Sequence, residues 1–288
     1  MNKFVKRGCT VLLALTLALG MSVSAFAADE PTVKKDYQLT NAGTTSPEET
    51  FQFTVEKVGV TDGTKADGSP LTEDDMPNLT IAAATYTAGG AGSANEVQNL
   101  TISHTAPFPN VGVYTYTVTE TKGNTAGVTY YEKTMKLVVT VAHGKGDKLV
   151  ETYAFYPDAS NPTSETKGDA IVNTYSAGTL NVGKRVVGNL GDRTKKFDIK
   201  VTFTAPENQT VRSTITYGDE KNPKTITPED FAKNPDHAVT VTISLASDQS
   251  MQFKNVPYGV KYTVKENEYK GYTPVWARTT MRAPSTPL

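Results

Sequence analysis

The chain has 288 residues, with 29 lysines and arginines against 30 aspartates and glutamates and a single cysteine. A net charge of −1, with no basic stripe, excludes nucleic acid and anionic membrane as expected partners. The three histidines, His104, His143 and His237, sit neither in a metal-ligand spacing nor beside a nucleophile, so no metal, no cofactor and no hydrolase chemistry is expected.

Residues 1–27 read as a secretory signal peptide. Lys3, Lys6 and Arg7 form a positive start, Val11 to Leu19 an apolar stretch, and Ala25-Phe26-Ala27 a small-residue cleavage site. Cys9 precedes the apolar stretch and leaves with it. The roughly 260 residues that remain contain no cysteine, no disulfide staple and no apolar run of transmembrane length. That is room for two domains of ordinary size.

The first of these is read over residues 28–176 and opens with Val33-Lys34-Lys35. Period-two segments follow, such as Phe51-Gln52-Phe53-Thr54-Val55 and Leu137-Val138-Val139-Thr140-Val141, separated by turn pairs such as Asp62-Gly63 and Gly89-Gly90. Thr, Val and Tyr alternating in short runs between such turns predict an all-β sandwich. Successive strand residues face opposite sides, so Tyr114, Tyr116, Val118 and Glu120 share one face while Thr115, Thr117 and Thr119 share the other. A carboxylate is thereby directed into the core, at a cost of several kcal/mol unless it is neutral or partnered. Lys35 has the parity of Val33, and Asn173 has that of Ile171 and Tyr175.

An amine, an acid and a carboxamide inside one core have chemistry open to them. Burial favours the neutral forms, and a neutral amine is a nucleophile. Attack of Lys35 on the side-chain carbonyl of Asn173, with Glu120 hydrogen-bonding that carbonyl and moving protons, expels ammonia and leaves an isopeptide bond. The plainer alternative has Lys35 snorkelling and Glu120 ending its strand in water. Lys34, the neighbouring amine, has outward parity.

Residues 177–276 repeat the plan. Leu180-Asn181-Val182-Gly183-Lys184 matches the lysine strand, Phe197-Asp198-Ile199 matches Phe51-Gln52-Phe53, and Val260-Lys261-Tyr262-Thr263-Val264-Lys265-Glu266 matches the glutamate strand. Glutamate follows lysine by 85 residues in the first half and by 82 in the second. The repetition favours the chemical reading. One short helix is expected from Pro228 to Asn234, capped by Thr227. The two glutamates fall in different domains, which excludes them as a pair flanking one glycosidic bond.

These repeated segments resemble the two-domain major backbone pilins of Gram-positive, sortase-assembled pili, built from Cna protein B-type domains of immunoglobulin-like topology. The resemblance spans nearly all of the mature chain, and Tyr116-Thr117-Val118-Thr119-Glu120-Thr121 matches the family's E-box. It implies two tandem β-sandwiches, a Lys35–Asn173 bond with Glu120 as catalytic acid, and Lys184 and Glu266 in the same roles in the second domain. It further implies a subunit joined head to tail to other pilins by a sortase, at the cell surface in the cell wall. Lys167, in the loop Ser160 to Gly168, is the match for the polymerisation lysine, with an ordinary solvated lysine as the alternative. A surface adhesin or minor pilin, binding a host ligand through the polar stretch Thr61 to Asp75, is the competing function.

The second domain departs from the pattern. Asn173 follows Glu120 by 53 residues, whereas the given sequence ends 22 residues after Glu266 with no Asn or Asp beyond Asn267. The expectation is an incomplete second sandwich, an irregular tail over 277–288, and no cross-link at Lys184. Truncation or a frameshift near Trp276 is the first explanation, and a strand supplied by a neighbouring subunit is the alternative.

Overall fold

The computed structural model describes residues 30–276, so the expected signal peptide and the tail from 277 onward lie outside the described residues. The N-terminal part contains β1 (Thr32–Leu39), β2 (Glu49–Phe51), β3 (Phe53–Thr61), β4 (Leu79–Ile81), β5 (Ala84–Tyr86) and β6 (Val97–His104). It continues through β7 (Gly112–Glu120), β8 (Val128–Thr129), β9 (Met135–His143), β10 (Leu149–Tyr156) and β11 (Ala170–Tyr175). One sheet runs in the order β4-β6-β1-β11-β8 and faces a second in the order β10-β9-β7-β3, with β2 and β5 as a separate pair. A buried cluster of Val33, Tyr37, Leu100, Tyr116, Val118, Leu137 and Ile171 draws on both large sheets, so the unit is a sandwich.

Its decisive connection is a parallel one. The first and last strands, β1 and β11, lie side by side with Lys35 opposite Ile171 and Tyr37 opposite Asn173. Parallel pairing between chain ends requires everything between them to cross over and return, which is why no local pattern could announce it.

The C-terminal part contains β12 (Ala177–Lys184), β13 (Phe197–Thr204), β14 (Ile215–Asp219), β15 (Asn222–Ile226), a one-turn helix α1 (Pro228–Ala232), β16 (Ala238–Leu245), β17 (Gln249–Pro257) and β18 (Lys261–Glu266). The sheets are β12-β17-β14-β15 and β16-β13-β18, enclosing Val182, Val201, Phe203, Ile215, Ile243 and Phe253. Helix α1 begins where Thr227 takes its cap, with the Thr227 amide donating to Asp230 Oδ2 at 2.8 Å, and it is shorter at its end than the sequence suggests. Among the described residues β12 has a hydrogen-bonded neighbour on one edge only, and so does β18. In the N-terminal part the corresponding strands, β1 and β7, are paired on both edges.

Candidate cross-linking site

Strand β7 alternates as its sequence dictates, with Tyr114, Tyr116, Val118 and Glu120 buried and the threonines between them on the wetter face. Strand β1 does the same, so Val33, Lys35 and Tyr37 point inward while Lys34 points out to an exposed ion pair with Asp169 at 2.8 Å. Strand β11 buries Ile171, Asn173 and Tyr175. Three strands from two sheets thus deliver an amine, a carboxylate and a carboxamide to one point.

Lys35 Nζ donates to Glu120 Oε2 at 2.9 Å, and Asn173 Nδ2 donates to Glu120 Oε1 at 2.5 Å. Both members of the ion pair have side chains that are 0% exposed. Glu120 Oε1 also accepts the backbone N–H of Tyr131 at 3.2 Å, so the carboxylate is held by three donors. The face of the Phe51 ring lies 4.4 Å from Lys35 Nζ, a cation–π contact. Phe51 is in turn packed edge-on by Tyr37, Tyr86 and Tyr130. Burial pulls the Lys35 amine down to about 8, against the opposing pull of the Glu120 carboxylate. Asn173 Oδ1 is buried and has no hydrogen-bond partner. The acid therefore meets the amide through its nitrogen, and not through the carbonyl oxygen as the sequence suggests.

Several members of this site are hard to see in the sequence. Phe51 was legible, because Phe51 and Phe197 open matching segments of the two halves. The Tyr131 N–H is a backbone group and carries no side-chain signal. Glu49 shares the buried parity of Phe51 and is itself buried, with one carboxylate oxygen unpartnered. Desolvation, and then the Glu49 charge, raise the neighbouring Tyr37 phenol.

In the C-terminal part Lys184 Nζ meets both oxygens of Glu266, at 3.0 and 2.7 Å, and lies 4.2 Å from the centre of the Phe197 ring. Tyr269 and Tyr272 flank that ring, and Lys195 packs over both tyrosines. No side-chain amide among the described residues hydrogen-bonds to either partner. The pair is also wetter, its side chains being 14% and 5% exposed. Lys167 is exposed at the end of the 3-10 turn Ser164–Thr166, on the segment leading into β11. His104 lies beside Phe108 and Glu151, and no cluster of metal-binding side chains occurs among the described residues.

The family described as "Spy0128-like isopeptide containing domain" matches residues 31–176, half of the chain. The chain belongs to that family. A domain of unknown function, DUF7601, matches residues 178–286. The chain is 30% identical over 245 residues to a pilin of Streptococcus pyogenes serotype M1, covering 83% of this chain and 68% of that pilin. In fold it is similar to the S. pyogenes major pilin, with a TM-score of 0.53 at 24% identity over 84% of this chain and 83% of that one. The T3.2 major pilin of the same species gives a TM-score of 0.53 at 22% identity, covering 86% and 84%. For this family member, the Lys35, Glu120 and Asn173 cluster lies wholly within the matched residues 31–176, while Lys184 and Glu266 lie in the second match.

Proposed function

We propose that Lys35, Glu120 and Asn173 form an autocatalytic cross-linking site that staples the first strand of a pilus subunit to the last strand of its N-terminal sandwich. The chain is a structural subunit of a pilus at the cell surface, assembled with other pilin subunits, and not an enzyme with turnover. The observation that carries the cross-linking reading is the single buried carboxylate holding the amine on one oxygen and the amide nitrogen on the other.

In the bond-forming step the neutral Lys35 amine attacks Cγ of Asn173, and the Cγ–Nδ2 bond breaks. Glu120 accepts a proton from the amine and returns one to the departing nitrogen, so ammonia leaves and a secondary amide remains. Burial, which brings the amine to about 8, supplies its neutral form within reach of physiological pH. The Nδ2 contact suits proton delivery to the leaving group. The finished bond keeps β1 and β11 from separating under load without rupture of a covalent bond.

Further reactions follow from the same reading. A sortase joins subunits head to tail through an exposed lysine, and Lys167, on the solvated turn before β11, is the residue proposed for that role, with the polymer fixed to the cell wall. Among the described residues Lys184 and Glu266 make a partial copy of the first site, with amine and acid in place, and the amide would come from a strand laid along the edge of β12 that is unpaired there. The adhesin alternative draws no support from the stretch Thr61 to Asp75. That stretch folds back on itself through Leu71, which is buried and bonded to Gly63 O, and through a Lys65–Asp75 ion pair at 2.9 Å.

Intact-mass measurement of the folded mature protein tests the central reading. One ammonia, about 17 Da, should be missing from the wild type and present in Glu120→Ala. A wild type of unaltered mass in a folded sample overturns the reading.

A further inference from the structure

The two parts of the chain are fastened together at more than one place, with Asn41 bonded to Ala177 and Tyr258 and Thr45 bonded to Asn255 in both directions, and a separate set of fasteners leads to two of the reactive groups. Between β13 and β14 the segment Thr210–Ser213 crosses to the N-terminal sandwich. Thr210 forms a parallel bridge with Thr125, its N–H donating to Asn124 O at 2.8 Å and its carbonyl accepting from the Ala126 N–H at 2.9 Å. Ser213, itself buried, accepts a 2.9 Å hydrogen bond from the Tyr175 hydroxyl. Ala126 packs within the apolar cluster of the C-terminal part, although it belongs to the N-terminal chain segment.

Each contact sits at the root of an arm of the cross-linking site. Tyr175 follows Asn173 by two residues on β11, on the same buried face and about 7 Å along the strand. Residues 121–131 form a strap that leaves Glu120, docks on Thr210 at its middle, pairs Val128 with Tyr175, and returns the Tyr131 N–H to Glu120 Oε1. Gly127, at the turn of this strap, has φ +83°, and a Cβ there would stand 2.7 Å from Ser176 O, so the turn as folded requires glycine. The amide and the acid are thus both anchored through the same segment of the other unit. Lys35 does not share that segment: its strand lies on the far side of β11 from β8, and the loop after it meets the C-terminal part separately, through Asn41 to Ala177 O and Thr45 to Asn255.

We propose that Thr210 and Ser213 of the C-terminal part are positioning residues for bond formation in the N-terminal part. Ser213 acts through Tyr175 to set Asn173, and Thr210 acts through the strap to set Glu120. This rests on the reading of Lys35, Glu120 and Asn173 as a cross-linking site. Amide formation needs the amine within near-attack distance of Cγ, and a displacement of 1 Å at a reacting centre costs on the order of a hundredfold in rate. A joint that fixes two of the three groups has a direct hold on that rate. It also ties the reaction to correct docking of the second unit, so that the staple closes on an assembled subunit.

The test follows ammonia loss with time in the full chain after pulsed cell-free synthesis, using intact mass. Ser213→Ala and Tyr175→Phe should each slow the loss of ammonia about tenfold. The double variant should be no slower than either single one, and Ser213→Thr should restore the wild-type rate. Tyr175→Phe keeps the buried ring, so it carries the test if Ser213→Ala fails to fold. Variants that melt earlier but lose ammonia at the wild-type rate overturn the proposal. A wild type that never loses ammonia overturns the cross-linking reading itself, a different outcome.

Discussion

Two lysine–glutamate pairs occupy matching places in the two parts of this chain, yet they differ in what completes them. At Lys35 and Glu120 a strand on the outer edge of β1 brings Asn173, and the pair is closed to water. At Lys184 and Glu266 the outer edge of β12 is open among the described residues, and the carboxylate spends both oxygens on the amine. The local ingredients are the same down to the phenylalanine under each ammonium, at 4.4 and 4.2 Å. A buried ion pair is a poor source of net stability, because desolvation consumes most of the attraction. What separates the two sites is the neighbouring strand, which brings an amide to one buried pair and, among the described residues, none to the other.

The largest break in this comparison is expected from Glu120→Ala. It leaves Lys35 uncompensated, costing about 3–5 kcal/mol, and it forfeits the proposed cross-link, worth about 4–5 kcal/mol in the chain-entropy picture. Chemical denaturation should therefore show the N-terminal transition displaced far more than in any other single variant. Asn173→Ala would also form no bond but would leave the uncrosslinked Lys35 paired with Glu120, so its expected loss is that of the proposed cross-link, about 4–5 kcal/mol. If the two variants unfold together, the ion pair contributes nothing of its own.

Lys184→Ala should cost less than either, about 1–3 kcal/mol, since that pair is partly wet and, among the described residues, holds no amide. It should leave the mass of the protein changed only by the substitution. An equally large destabilisation would mean that the second pair is coupled to folding as strongly as the first.

The remaining expected effect, on rate and not on stability, is that of pH. Below about 8 the Lys35 amine is mostly protonated, so the rate of ammonia loss should rise about tenfold per pH unit and level off above that value. Rates measured from pH 6 to 9 check this, and a flat profile would show that the proton leaves the amine in a step other than the slow one.

Much of the first site was legible because its signals are local. The alternation that buries Tyr114, Tyr116 and Val118 fixes Glu120 on the same face, whatever the strand packs against. The same holds for Lys35 after Val33 and for Asn173 between Ile171 and Tyr175. Parity is less reliable in β18, where Tyr262 is 42% exposed although it shares the face of Glu266. With one edge of β18 unpaired among the described residues, a residue of inward parity still reaches solvent. Glu49 obeys the same parity rule beside Phe51, but its strand is only three residues long, too short for the alternation to stand out.

By itself, then, the sequence determined which side chains share a strand face, the inward one in β1, β7 and β11, and that the plan is made twice, because strand parity and repetition depend only on neighbours along the chain. The tertiary structure alone decided which of those inward groups meet. That β1 lies parallel to β11, that β12 meets only β17 among the described residues, and that Ser213 reaches Tyr175 are matters of pairing between residues far apart in the chain. They are set by how whole sheets pack, which no short stretch of sequence encodes.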